Sequence, residues 1–403
     1  MKSDWKEYTV QELIDLEMLD EPLDGNHGSI HPKAADYVDS GVPFIMANNL
    51  IDGIVDLDGC AFISEAQAKT LRKGFAKPGD VLLTHKATIG RTAIVPNRCE
   101  TIVLTPQVTY YRVKKGIDNR YLKYYFDSHD FQVTLNNWAG SGSTRAYIGI
   151  TAQRKLPVIL PPYSVQRKIA DILEVFDKKI SINNGINENL LQQAQNVFFQ
   201  EFLSLESIPD SWQENSLLGI ADYLNGLAMQ KYRPKDDEQG LPVLKIKELR
   251  QGFCDSNSEL CSPSIKSEYI VHDGDVIFSW SGSLLVDFWC GGTCGLNQHL
   301  FKVTSPTYDK WFYYAWTKHH LQKFAAIAAD MATTMGHIKR EELAKAKVLI
   351  PSQSDYDRIG GLLDPLYDLV IANRVENHKL AALRDELLPK LMSGQLDVLE
   401  VAL

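Results

Sequence analysis

The sequence predicts an α+β chain: two tandem mixed α/β domains separated by two long helices that form an antiparallel coiled coil, with internal pseudo-twofold symmetry. Three observations predict it. The chain repeats itself, which fixes an architecture before any motif is read. The second part of each copy is a long stretch with apolar residues at heptad spacing, and in the first copy it holds one Gly and no Pro. The first part of each copy carries short β-branched and aromatic runs punctuated by turn residues, the pattern of a strand-rich globular domain.

The repeat is legible residue by residue. Trp5 answers Trp212, Gly41-Val42-Pro43-Phe44 answers Gly240-Leu241-Pro242-Val243, and Gly79-Asp80-Val81 answers Gly274-Asp275-Val276, at a spacing that shrinks along the chain. The spacing then stops drifting. Tyr124 and Tyr314, Ile148 and Ile338, Pro161 and Pro351, Ile169 and Ile359, Asn183 and Asn373, and Asn187 and Asn377 are all 190 residues apart. An ordinary duplicated domain explains the repeat but not this contrast. Variable loops on a fixed scaffold are where binding specificity sits, and a segment of fixed length is a helix whose register matters. The boundaries drawn from this are globular domains at 1–150 and 206–345, and helical spacers at 151–205 and 346–403.

The first spacer opens after Pro161 and Pro162, a natural helix start, and from Ser164 to Leu203 its one glycine is Gly185. Its apolar series Ile169, Leu173, Phe176, Ile180, Leu190, Ala194, Val197 steps by four and three, and the same count places Asn183 and Asn187 on the seam. In the second copy the series reads Ile359, Leu363, Leu366, Val370, Asn373, Asn377, Leu380. Seam asparagines cost stability and fix register, so these four are the expected register residues of an antiparallel pair. Pro365 inside the second run predicts a kink or a fresh start there. Forty helical residues would make a rod of roughly 60 Å.

Within the globular domains, three groups of loops bear polar chemistry at matched places. The Val81–Thr84 strand and its return at Thr92 frame a loop, His85 to Arg91, that contributes Lys86, Thr88 and Arg91; its counterpart offers Trp280, Ser281 and Ser283. Before the helices, Ser143, Thr144, Arg145 and Tyr147 stand opposite Thr333, Thr334 and His337, and hydroxyls and amides there suit phosphate oxygens. Asn26 and His27 lie on a Gly-flanked, flexible loop, where amide and imidazole groups can meet base edges. The second copy has Lys231 and Arg233 there, with Lys245 and Lys247 on the strand nearby.

Composition narrows the classes. The 403 residues are 44% apolar, enough for real cores and too many for disorder. The balance of 42 Lys+Arg against 51 Asp+Glu, net -9, is the wrong sign for coating nucleic acid by bulk charge, so any such contact is local. No membrane span or signal peptide is visible, which predicts a cytosolic protein. Cys60, Cys99, Cys254, Cys261, Cys290 and Cys294 are too scattered for a disulfide framework and are expected to stay reduced, with no zinc site. No Walker A, G-x-G-x-x-G, H-E-x-x-H or G-x-S-x-G motif occurs, and Asp80 and Asp275 read as turn residues rather than catalytic acids.

The pattern as a whole resembles the specificity (S) subunit of a type I restriction-modification system: an early Trp, G-x-P, a G-D-[VI]-[LI] strand start, and Leu160-Pro161-Pro162-Tyr163-Ser164-Val165-Gln166 leading into a long helix, all duplicated. In the second copy Ser352 replaces the second proline, and Tyr356 stands where the first has Gln166. The resemblance implies two target recognition domains, each reading half of a split asymmetric sequence in double-stranded DNA, with the helices as a spacer. It implies two methyltransferase (M) subunits and restriction/translocase (R) subunits as partners. S-adenosylmethionine, ATP and Mg would then be bound by those partners, with no cofactor, metal or catalytic residue in this chain. The alternatives are a non-enzymatic protein-interaction scaffold and an enzyme with a duplicated active site; the unlike residues in the paired loops count against the enzyme.

Overall fold

The repeat becomes the same sheet twice. The computed structural model describes residues 4–98, 100–140, 146–330 and 339–398, and it divides into one unit of Met1–Lys178 with Ala381–Leu403 and another of Lys179–Leu380. In the first unit an antiparallel sheet runs Thr88–Ile94, Val81–Lys86, Val108–Tyr111, Leu23–Asp24. In the second the order is Leu285–Phe288, Val276–Ser279, Leu300–Thr304, Asp222–Asn225, strand for strand the same. Each unit adds a second sheet with a parallel pair, Val42–Ile45 beside Ile102–Leu104 and Leu241–Leu244 beside Cys294–Leu296.

Each globular domain is closed by its first strand. Lys6–Thr9 pairs antiparallel with Pro157–Leu160, and Gln213–Ser216 with Lys347–Ile350. The strands at 157–160 and 347–350 therefore belong to the sheets, although they lie in the segments 151–205 and 346–403. Helix begins after them, at Tyr163–Phe198 with a π turn at Phe199–Leu203, and at Gln353–Met392.

The second helix does not begin afresh at Pro365: Gln353–Met392 is one continuous helix through the proline. Ile359 and Leu363 on one side of the proline and Tyr367 and Val370 on the other are all at most 5% exposed, so packing holds both flanks in one helical register. Gly360 and Gly361 precede it, and Gly360 lets the Trp311 indole lie against the helix backbone.

Each unit contains a stretch of both helices. In the first, Ile169 and Leu173 share a core with Val81, Leu83, Tyr111, Phe126, Leu388 and Leu391. Asp177 meets Arg384 at 2.7 Å. In the second, Ala194 and Phe198 pack with Phe278, Phe312, Ile359 and Leu363. Here Asn183 meets Asn377, Asn187 meets Asn373 and Glu201 meets Arg358, so one helix number rises as the other falls and the segments run antiparallel. The four predicted register asparagines thus face one another: Asn183 is fully buried, Asn187 and Asn373 nearly so, and Asn377 partly.

Candidate nucleic-acid interface

The Gly-Asp turns that start the Val81 and Val276 strands are structural, as expected, and they reveal how the two domains are braced. Asp80 takes the Lys77 N–H at 2.8 Å and a two-pronged contact from Arg112, through Nε at 2.8 Å and Nη2 at 2.7 Å. Asp275 takes the His272 N–H at 2.8 Å and pairs with Lys302 at 2.8 Å. Arg112 also reaches the Phe75 carbonyl and Lys302 the Ile270 carbonyl. The same acid, cation and carbonyl thus tie one sheet to the other in both units. Fixed sheets leave the strand ends to carry the variable chemistry.

At one such end in the first unit, the expected loop from His85 to Arg91 is mostly strand. Val81–Lys86 and Thr88–Ile94 leave only Ala87 at the tip, with φ of 66°, and the ladder slips between Ile89 and Thr92. The segment after residue 145 explains this by supplying a partner edge: Ala87 N–H donates to Ala146 O and Ile148 N–H to His85 O. His85 is fully buried, and burial lowers its pKa, so its Nδ1–H donates to the Ile148 carbonyl at 2.9 Å. Two loops far apart in sequence are thereby joined. The Lys86 ammonium lies 5.9 Å from the ring centre of Tyr147, which is 46% exposed, and Thr88 is exposed beside them. Arg91 is exposed but tethered, with Nη1 on the Ala47 and Leu50 carbonyls.

The loop carrying Asn26 and His27 is not flexible but pinned. Asn26 is 2% exposed, its Nδ2 donating to Lys73 O and its Oδ1 accepting the Arg72 N–H. Buried and bonded through both amide atoms, it does not face solvent, which corrects its assignment as a base-reading residue. His27 does project, with its side chain 48% exposed and Nε2 2.6 Å from Asp24 Oδ2. Lys73 holds the other Asp24 oxygen. Burial pushes the Asp24 pKa up, but the hydrogen bonds from Lys73 and His27 outweigh it and hold the carboxyl below its usual range.

In the second unit the cations are committed to local acids. Arg233 and Lys245 share Glu259, at 3.2 and 2.5 Å, and Lys247 pairs with Asp255 at 3.1 Å. Lys231 is exposed. The 280–284 loop is a loop, as expected. Trp280 is only partly exposed, stacked 5.6 Å from Phe301 with Nε1 on Asn225. Ser281 is 4% exposed with its Oγ 3.3 Å from His299, which turns it inward and corrects its place in the contact set, whereas Ser283 is exposed. The tip glycine Gly282 lies beside Ile246, between Lys245 and Lys247, just as Arg91 lies on Ala47 at the equivalent point. Ser143, Thr144, Arg145, Thr333, Thr334 and His337 lie outside the described residues.

Sequence reasoning missed Asp24 and Lys73, whose signal is weak because they lie 49 residues apart and meet only through the fold. Among the described residues no group of three or more His, Cys, Asp or Glu is placed to hold a metal, and no helix is long and apolar enough to cross a membrane.

Comparison with known proteins follows the same outline. The family described as "Type I restriction modification DNA specificity domain" matches residues 2–192 and 209–383, one match to each copy of the repeat. The chain is 24% identical over 395 residues to the type I restriction enzyme MjaIX specificity subunit of Methanocaldococcus jannaschii, covering 92% of this chain and 90% of that protein. It is 23% identical over 408 residues to the type I restriction enzyme EcoKI specificity subunit of Escherichia coli K12, covering 90% and 84%. Among solved structures, the S subunit of a type I restriction-modification system from M. genitalium aligns over 96% of each chain with a TM-score of 0.56 at 14% identity, a likeness of fold.

Proposed function

Given that the chain belongs to the type I restriction-modification DNA specificity family, we propose that it reads a bipartite, asymmetric duplex target, one half-site per globular domain, and that the paired helices set the distance between the half-sites. One observation carries this reading: two sheets of identical strand order present unlike groups at equivalent tips, Lys86, Thr88 and Tyr147 in one unit, Trp280 and Ser283 with Lys245 and Lys247 in the other. Equal scaffolds with unequal tips are what an asymmetric target demands, because backbone contacts position a duplex and side chains specify its sequence.

The chemistry belongs to partners in this reading. Two methyltransferase subunits would bind S-adenosylmethionine, and restriction/translocase subunits ATP and Mg, in a cytoplasmic complex with this chain as its non-catalytic address. Exposed apolar side chains on the helices of the second unit, Ile182 and Ile186 on one and Leu362 and Leu369 on the other, suit such docking. With a net charge of -9 and with Arg233, Lys245 and Lys247 paired to local acids, the chain alone is expected to bind DNA weakly and with steep salt dependence.

The test is to reconstitute the chain with its methyltransferase, map the methylated motif, and replace residues 1–150 with the matching domain of another family member. One half of the motif is expected to change while the other half and the spacer stay. A change in both halves, or a motif without a spacer, would overturn the reading.

A further inference from the structure

His27 is held in a way that the charge of Asp24 alone does not explain. Asp24 is 2% exposed and already receives Lys73 on one oxygen, so its charge has a partner without the imidazole. Yet Nε2 of His27 is fixed 2.6 Å from the other oxygen while about half of the side chain faces solvent. The loop beneath it cannot drift. Gly25 packs so tightly against the Leu104 carbonyl that a Cβ there would lie 1.9 Å from the oxygen, and Asn26 is bonded through Nδ2 to Lys73 O and through Oδ1 to the Arg72 N–H. A rigid mount under an outward-facing polar ring is the arrangement of a recognition group.

Strand register places this ring at the end of the sheet that carries the hairpin tip. Asp24 is opposite Thr109, Val108 is opposite Thr84, and Gln107 O receives the His85 N–H, so the 25–27 loop, the 105–107 turn and Lys86 all lie beyond the same strand ends. In the neutral tautomer that donates Nε2–H to Asp24, Nδ1 is left as the ring's acceptor. In the major groove an acceptor meets the exocyclic amino group of adenine (N6) or of cytosine (N4), and Lys86 nearby supplies a cation for the phosphates.

We propose that His27 reads one base of the first half-site by accepting a hydrogen bond from an adenine or cytosine amino group at Nδ1, with Asp24 as the residue that positions it. This rests on the reading of the chain as a DNA specificity subunit, and the experiment separates the two. The complex of the chain with its methyltransferase is first offered a randomised duplex library; absence of any bipartite preference would sink the reading itself, whatever His27 does.

Where a motif emerges, each adenine of the first half-site is replaced in turn by purine and each cytosine by 2-pyrimidinone, changes that remove only the amino group. The parent complex is expected to lose roughly tenfold in affinity at one position. The arm that responds identifies the base. His27→Ala is expected to lose a similar factor on unmodified DNA and to be indifferent to the analogue at that position alone, with an unchanged melting transition and an unchanged second half-site. Asp24→Asn should weaken the response at the same position and at no other. A His27→Ala complex that still discriminates against the analogue as the parent does, or that loses affinity equally on all sequences, would overturn the proposal.

Discussion

Asn183 donates its Nδ2 to Asn377 Oδ1 at 2.8 Å and to Glu376 Oε2 at 2.7 Å, while its own buried Oδ1 has no hydrogen-bond partner. A fully buried amide with one unsatisfied acceptor is a stability cost of about 1–3 kcal/mol. Replacing both partners, Asn183→Leu with Asn377→Leu, is therefore expected to raise stability by about 1–2 kcal/mol in thermal or denaturant unfolding, since the partners left behind, Glu376 and Asn184, are open to water. The same double variant should methylate motifs with more than one spacer length, because the register restraint is gone. A single spacer retained at full stringency would show that apolar packing alone sets the register.

Asp177 binds three side chains of the first unit. It takes Arg384 at 2.7 Å, the Tyr124 hydroxyl at 2.6 Å and Lys123 at 3.5 Å, and these partners outweigh the burial that would raise its pKa, leaving it below the usual range. A carboxyl whose folded pKa is depressed contributes stability above its unfolded pKa of about 4, and that contribution disappears as pH falls through the folded value. Unfolding free energy followed from pH 7 downward is expected to fall in the acid range, and Asp177→Asn is expected to lose about 1–3 kcal/mol at neutral pH and to show a shallower acid slope. An Asp177→Asn slope equal to the parent's would assign the acid sensitivity elsewhere.

Arg112 and Lys302 do the same work with different geometry. Arg112 meets both Asp80 oxygens and the Phe75 carbonyl, whereas Lys302 has one contact to Asp275 and one to Ile270. A planar fork cannot be replaced by a point charge without losing a bond. Arg112→Lys is expected to cost about 1 kcal/mol and Lys302→Arg little, read by calorimetric melting.

Much of this fold was legible in the sequence because periodicity survives divergence. The 190-residue spacing located both helices, and the heptad count found Asn183, Asn187, Asn373 and Asn377 before any contact was known. What stayed hidden was chemistry that changes residue type while keeping its role. Tyr356 in place of Gln166 reads as a departure, yet Gln166 accepts the Asp118 N–H through Oε1 at 3.0 Å and Tyr356 accepts the Asp309 N–H through its hydroxyl at 2.7 Å. Both tie the start of the long helix to the start of an earlier one, Asn119–Asp127 in the first copy and Lys310–Asp330 in the second. The contact residues were the least legible, because exposure depends on partners the sequence does not announce. Asn26 and Ser281 turned inward, and Arg233, Lys245 and Lys247 found acids of their own domain. Tyr356→Phe follows as a test: it should cost about 1–2 kcal/mol, because it strips an acceptor from a partly buried backbone N–H.

Ile182 and Ile186, 58% and 41% exposed, lie one turn apart on the same face of their helix, next to but not on the seam that buries Asn183 and Asn187. The fold does not need them there, since neither packs in a core cluster of the unit. Converting both to glutamate should leave the melting transition in place, because charges on an exposed helix face change stability by about half a kcal/mol or less. Docking is another matter. If this face receives a methyltransferase subunit, burying two carboxylates against an apolar partner surface costs several kcal/mol, enough to abolish complex formation in size-exclusion chromatography and methylation with it. A double variant that still assembles at the parent's stoichiometry would place the docking surface elsewhere on the chain.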